Sequence, residues 1–247
     1  MTPEINLGSA SCDELTPFSK LRLGIVVAPA RSALFVVSDP NTQSYAGVPV
    51  DLGTALADRL GVSVDIHGFL NSGACTTALE NNSIDVTFLP VDDERRRRVS
   101  FGPAYYRIQS TYLVPAVSDV RTLSDVDQEG VRVVGIANTT TIRSSARTLS
   151  LTCPQPVESI AEAVDRLKRG EADALALSRE AFKALMPELP GARVLDGGFQ
   201  STGIAVAVQQ GKPAALAYVS AFVEDAIRSG LVRRALDAAG FPDEPVA

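Results

Sequence analysis

Four consecutive arginines, Arg95 to Arg98, stand in the stretch VDDERRRRVSFGPAYY (91–106) and are the densest chemistry in the chain. Successive residues on a helix are rotated by about 100°, so the four cannot share one face. Two readings stay open: the run is a solvated helix face or a patch for polyanions, or Arg95, nearest the preceding strand, turns inward. Turned inward, its planar fork can grip a carboxylate through two parallel hydrogen bonds. The other reactive side chains are sparse. A single histidine, His67, leaves almost no room for a His-based triad or a multi-histidine metal site, and its place in VDIHGF reads as a half-buried strand position. Cys12, Cys75 and Cys153 are odd in number and unrelated in spacing, which gives neither a disulfide framework nor a zinc knuckle. A paired-thiol site from Cys75 and Cys153 is disfavoured, because Cys153 precedes Pro154 and lies several residues from the nearest cleft turn at Glu158. The four lysines fall in segments that read as exposed helix ends or loops, which argues against Schiff-base chemistry. No metal and no cofactor is implied.

These residues need elements to position them. LRLGIVVA (21–28) is an apolar, β-branched run and reads as a buried strand. In VDLGTALADRLG (50–61), Leu52, Leu56 and Leu60 follow at helical spacing and Gly61 ends the helix. VSVDIHGF (62–69) alternates as a strand, Asn71 or Ser72 can cap a helix reaching Asn82, and IDVTFLP (84–90) is the next strand. A second cycle runs through the strand VRVVGIA (131–137), the turn Asn138 to Thr141 and a helix from about Ile142. Ser159 and Glu162 have capping-box spacing before a helix that ends at Gly170. ADALAL (172–177) and GIAVAVQ (203–209) are strands, and 213–239 closes the chain with helices. Alternating strands and helices predict an α/β fold with doubly wound, mostly parallel sheets. Ligands of such sheets bind at the carboxyl ends of strands. The strand-to-helix turns there are Pro29 to Phe35, Asn71-Ser72-Gly73, Pro90 to Arg95, Asn138 to Thr141, Glu158-Ser159 and Ser178-Arg179.

Length and charge narrow the function. With 247 residues, the chain corresponds to about 1.6 domains at roughly 150 residues each. Acidic residues number 29 against 23 basic, a net charge of -6, so nucleic acid is not an expected partner. No run of apolar residues is long enough for a membrane span. The first twenty residues lack the basic patch and apolar run of a secretory leader. The expected compartment is the cytoplasm if Met1 is the native start and extracytoplasmic if a leader precedes the chain.

The order GVPVDLGTALADRLG, IDVTFLPVDDERRRRVSFGPAYY, GVRVVGIANTTT, AVDRLKRGEADAL resembles the type II periplasmic solute-binding proteins, in particular the amino-acid-binding family of ABC uptake systems. The likeness covers roughly 21–240 and is specific in order and spacing. It implies two lobes with a cleft between them, hinged near Leu113 to Ala116 and Phe199 to Thr202. One lobe would comprise 21–114 plus 200–247 and the other 115–199, after an N-terminal extension of residues 1–20. In this family the arginine of the turn holds the ligand carboxylate, which maps to Arg95, with Asp92 where Thr or Ser is usual. Thr139, Thr140 and Thr141 would add donors to that carboxylate at a helix N-terminus. Phe35, with Leu34 competing, is the expected stacking aromatic, and Asn71 and Glu158 stand on further cleft turns.

The departures from the family pattern are informative. Ser178, with Arg179 beside it, replaces the aspartate that pairs with a ligand ammonium, and Pro49 replaces a common acidic residue. Unless Asp92 or Glu158 supplies the missing charge, an ordinary α-amino acid is not the expected ligand. The expected function is closure of two lobes on a small carboxylate, with an ABC permease as partner if the protein is exported. The alternative is a cofactor-independent dehydratase or lyase resembling cyclohexadienyl dehydratase. It would need Glu158, Glu180 or Asp92 as general acid.

Overall fold

A computed structural model describes residues 13–28, 35–38, 44–242 and 244–247. Cys12, Leu34 and the turn residues 29–34 lie outside these. The first lobe is built on β1 (Lys20–Val27), whose apolar run is buried on both faces, Leu21, Leu23 and Ile25 packing with Leu52 and Leu56 and Val26 with Cys75 and Leu79. β1 pairs in parallel with β2 (Phe35–Ser38), β4 (Ser63–Phe69) and β5 (Val86–Pro90). The short β3 (Tyr45–Ala46) lies antiparallel on β2. Helix α1 (Val48–Leu60) buries Leu52 and Leu56 as its spacing predicts. It stops where Gly61 takes a left-handed φ of 69° and returns its N–H to the last turn. Helix α2 (Ser72–Glu80) is capped by Asn71, whose side chain accepts from the Ala74 N–H at 2.9 Å.

The second lobe repeats the scheme. β7 (Val133–Ile136) pairs in parallel with β8 (Gln155–Val157) and β9 (Ala174–Ser178). Helices α5 (Thr140–Thr148), α6 (Ile160–Lys168) and α7 (Arg179–Leu185) follow β7, β8 and β9 respectively. The remaining helices are the short α3 (Asp93–Arg96) and α4 (Leu123–Val126) and the closing pair α8 (Pro213–Arg228) and α9 (Leu231–Ala238). The capping box expected at Ser159 is only half formed. Its hydroxyl accepts from Glu162 N–H at 3.2 Å, but the Glu162 carboxylate accepts from Glu158 N–H, one residue too early, while Arg166 holds its other oxygen. The reciprocal pair forms at Thr122 and Asp125 instead.

Two long strands join the lobes. β6 (Val99–Val114) runs for 16 residues and β11 (Gln200–Gln209) for 10, antiparallel to each other, and the short β10 (Arg193–Val194) lies antiparallel on the end of β6. Gly102 and Pro103 conceal β6 from a sequence reading; both sit at a register shift opposite Val206, where proline's missing N–H breaks no ladder bond. β6 changes partner at Ser110, which pairs with Gln200 of β11 on one side and Ser178 of β9 on the other. Hydrophobic clusters divide the same way: one around β1, α1, α8 and α9, another around β7, α6 and α7.

Candidate functional site

A cavity of about 30 Å³ lies between the lobes at the carboxyl ends of their strands. The first lobe lines it with Val26, Phe35, Leu70, Asn71, Ser72 and Pro90, and β6 adds Ile108. The second lobe contributes Ile136, Thr139 to Thr141, Ile160, Leu177 and Ser178. Eight of these fourteen are apolar and six are uncharged polar residues. Six expected site residues meet here: Phe35, Asn71, Thr139, Thr140, Thr141 and Ser178.

Thr139 caps α5, accepting from Ile142 N–H at 3.3 Å while its own hydroxyl donates to Ile136 O at 2.7 Å. Asn138, just before it, takes a left-handed φ of 58° that lets the chain turn sharply from β7 into α5. The Thr140 hydroxyl is buried and has no hydrogen-bond partner. Thr141 meets Ser110 across 3.3 Å.

Of the four arginines, Arg95 alone is fully buried; Arg96 and Arg97 face solvent, and Arg98 ion-pairs with Glu80 and Glu94. The inward turn follows from Asp92, whose carboxylate caps α3 by accepting from Arg95 N–H at 2.8 Å. The Arg95 guanidinium donates to Pro90 O at 2.9 Å, to Ser72 Oγ at 2.7 Å and across the cleft to Asn138 O at 3.1 Å. All three acceptors are neutral, Nε has no partner, and among the described residues no carboxylate forms an ion pair with it. Burial lowers its pKa to about 10, and the charge of Arg143 adds to the effect. Arg95 does not itself line the cavity; it reaches the wall through Ser72.

The remaining expected residues stand outside the cavity lining. Asp92 pairs with Arg143, the residue after α5's first turn, which also approaches Glu94 at 3.4 Å. Burial alone would raise the Asp92 pKa, but the bonds from Arg95 N–H and from Arg143 outweigh it and hold it low. Glu158 borders a neighbouring surface hollow with Gly73, Arg98 and Asn138. Arg179 fastens the start of α7, donating to Gln109 at 2.9 Å, to Leu195 O at 2.8 Å and to Gly197 O. Glu180 is buried behind Ser178 with one carboxylate oxygen unpartnered. Its pKa is raised to about 7, by burial first; Glu244 adds to the rise, whereas its own backbone N–H and the Ser178 hydroxyl oppose it. Cys75 is inert, its thiol pushed up to about 12 by burial. His67 is a half-buried strand residue beside Asp65, as its pattern suggests.

Sequence reasoning missed Arg143 and the apolar lining. Arg143 sits two residues beyond the threonine turn, where a helical position facing α3 was readable only once the lobes were placed. The apolar lining residues carry no chemical signature that separates them from core.

Two lobes joined by paired crossover strands, with a polar-rimmed cavity between them, define a solute-binding protein of the periplasmic type. The chain belongs to the bacterial extracellular solute-binding proteins, family 3, whose model matches residues 25–238. This is the family that the order of its motifs implies. The glutamine-binding protein of Geobacillus stearothermophilus is 24% identical over 200 residues, 79% of this chain and 75% of that protein. The ABC transporter glutamine-binding protein GlnH of Bacillus subtilis is 23% identical over 185 residues, covering 73% and 67%. Among solved structures, a P235GK mutant of ArgBP from T. maritima superposes with a TM-score of 0.80 at 23% identity, covering 93% of this chain and 99% of that one. The ancestral amino-acid-binding protein AncCDT-1, a precursor of cyclohexadienyl dehydratase, gives 0.79 at 22% identity over 94% and 99%. At these identities the structures speak for the fold alone. Among the described residues no helix is long and apolar enough to cross a membrane.

Proposed function

We propose that this protein binds a small carboxylate between its lobes, which close on it by hinge motion where β6 and β11 cross, near Ser110 and Gln200. One observation carries the reading: Arg95 is a fully buried guanidinium with only neutral acceptors and an unpartnered Nε. A buried cation that no carboxylate among the described residues ion-pairs, and that Asp92 and Glu94 offset only through space, is unfavourable, and an anion brought to it lowers that cost. Thr140, whose hydroxyl lies in the cavity wall with no partner among the described residues, supplies a further donor. The cavity is also small: at about 30 Å³ it has room for roughly one water, so entry of a ligand requires the lobes to part. On this reading 21–114 with 200–247 moves as one body and 115–199 as the other. The glutamine-binding relatives and the family's ABC context support an uptake role with a permease as partner.

Calorimetric titration of a panel of carboxylic acids tests the reading. Binding should be lost in Arg95→Ala, with thermal melting as the control for folding. Unchanged affinity in a folded Arg95→Ala protein removes Arg95 as the anchor.

A dehydratase or lyase reading rests on Glu180, whose raised pKa suits a general acid. Glu180 does not line the cavity, which favours binding over chemistry. Incubation with prephenate, arogenate and related hydroxy acids decides: turnover abolished by Glu180→Gln establishes the enzyme, and reversible binding without turnover excludes it.

A further inference from the structure

We infer that the cleft selects carboxylates that carry no α-ammonium group, namely 2-oxo, 2-hydroxy or unsubstituted acids with a short apolar body. This rests on the carboxylate reading above and goes beyond it in naming what the rest of the ligand must be.

The cavity wall is the ground for it. Among the described residues that line it, none is charged, and the polar ones are hydroxyls and one amide. Their oxygens are partly committed: Asn71 Oδ1 to Ala74 N–H, Ser72 Oγ to Arg95, Thr139 Oγ1 to Ile142 N–H. A carboxylate entering here finds Arg95 beyond Ser72 and the Thr140 hydroxyl. An ammonium entering here gives up its water and meets no anion among the described residues of the wall.

The three acids nearest the cleft do not change this. Asp92 already faces Arg143 and caps α3. Glu158 lies at the surface hollow outside the cavity. Glu180 lies behind Ser178, close enough to Glu244 and Tyr106 for its charge to act on them, and away from the lining. Burial keeps its carboxyl largely protonated below pH 7, which weakens it further as a counter-charge. The rest of the wall is apolar, with Val26, Phe35, Ile108, Ile136, Ile160 and Leu177 among its eight apolar residues. These favour an aliphatic or aromatic body over a charged or amide side chain.

Matched ligands of one carbon skeleton test the inference: 4-methyl-2-oxopentanoate, 2-hydroxy-4-methylpentanoate, 4-methylpentanoate, leucine and 4-methylpentanamide, titrated into the intact protein. The expected result is binding of the first three, with leucine weaker by at least about 30-fold and the amide not bound. Leucine binding as tightly as the oxo acid overturns the inference and leaves the carboxylate reading standing. Binding of the amide as tight as that of the acid, or no binding by any acid of the panel, overturns both. Ser178→Asp should then bring leucine up toward the oxo acid by placing an anion in the wall. An unchanged leucine to oxo acid ratio in a folded Ser178→Asp protein overturns the claim that a missing counter-charge sets the preference, and if that variant does not fold the matched panel alone decides.

Discussion

Gly73→Ala should separate lobe closure from stability. Gly73 is the second residue of α2, and a Cβ added there would lie 2.4 Å from Asn138 Cβ and 2.9 Å from Asn138 O, on the opposite lobe. Carbon atoms pack at about 3.5–4.0 Å, so the contact must open by more than about 1 Å. Asn138 has little freedom to retreat. Its φ is 58°, its carbonyl accepts from Arg95, and the next residue caps α5. Within α2 itself alanine is the better residue, by about 0.5–1 kcal/mol, and that gain applies whether the lobes are open or closed. The third neighbour, the Asn71 Oδ1 at 3.1 Å, lies on the same lobe and need give by only a few tenths of an ångström, whereas overpacking against Asn138 applies only to the closed form and costs about 1–3 kcal/mol. Affinity for any ligand that requires closure should therefore fall by about 5- to 150-fold. The ligand-free melting temperature should stay level or rise. Calorimetry gives the affinity, scanning calorimetry the melting temperature, and small-angle scattering the expected larger radius of gyration in the presence of ligand. Unchanged affinity refutes the argument outright. A lower melting temperature with the loss of affinity also refutes it, because Gly73 would then serve the fold and not closure.

The other predictions concern charge. Arg143→Gln removes the bridge from α5 to Asp92 and should weaken binding by about 2- to 5-fold at low salt; near 1 M salt, where screening acts within about 3 Å, the difference should vanish. Asp92 has a folded pKa below its ordinary 3.8, so its contribution is complete above about pH 5 and is lost as pH falls through the depressed value. Asp92→Asn, which keeps a capping oxygen, should flatten the acid limb of stability measured by urea unfolding. Glu180 behaves oppositely: raised from 4.5 to about 7, it favours the folded state fully below pH 4.5 and loses that contribution as pH rises to about 7. Glu180→Gln should therefore make stability less dependent on pH between those limits and leave the protein more stable than the parent at pH 8, by roughly 1–3 kcal/mol. A parent whose stability rises across that window would contradict the placement of Glu180.

Much of the fold was legible because apolar spacing and caps act locally. Leu52, Leu56 and Gly61 define α1, Asn71 announces α2, and the alternation of strand and helix implies parallel pairing. β6 was not legible, because Gly102 and Pro103 are strand breakers unless a bulge accommodates them, and the bulge depends on β11, a hundred residues away. In the site, the threonine turn and Arg95 could be read from residue type and from the resemblance together. The inward turn of Arg95 rather than of its three neighbours depends on Asp92 fixing the phase of α3. Arg143 and Glu180 were harder for a different reason. Arg143 takes its role from Asp92 on another element, and Glu180 takes its raised pKa first from burial in the packed fold; composition carries no trace of either.

How an uncharged wall can select an anion follows from the state in which Arg95 is buried. A ligand shifts the lobes toward closure only by the difference between its affinities for the closed and open forms. Arg95 to Asn138, Arg143 to Asp92 and Ser110 to Thr141 join the lobes without any ligand. The neutral contact adds about 0.5–1.5 kcal/mol and each of the two that involve a charged group about 1.5–3, and on the proposed closure they favour the closed form. Against them stands the cost of sealing the Arg95 guanidinium from water with no carboxylate bonded to it among the described residues, a cost that Asp92 and Glu94 offset in part. On the proposed hinge closure, these opposed terms set the balance between the open and closed forms of the empty protein. A carboxylate cancels the second term and leaves the first intact. A neutral molecule of the same shape fills the apolar wall but leaves the guanidinium uncompensated. Selectivity for the anion is thus expressed in the closing step, and affinity should track charge more steeply than it tracks the size of the apolar body.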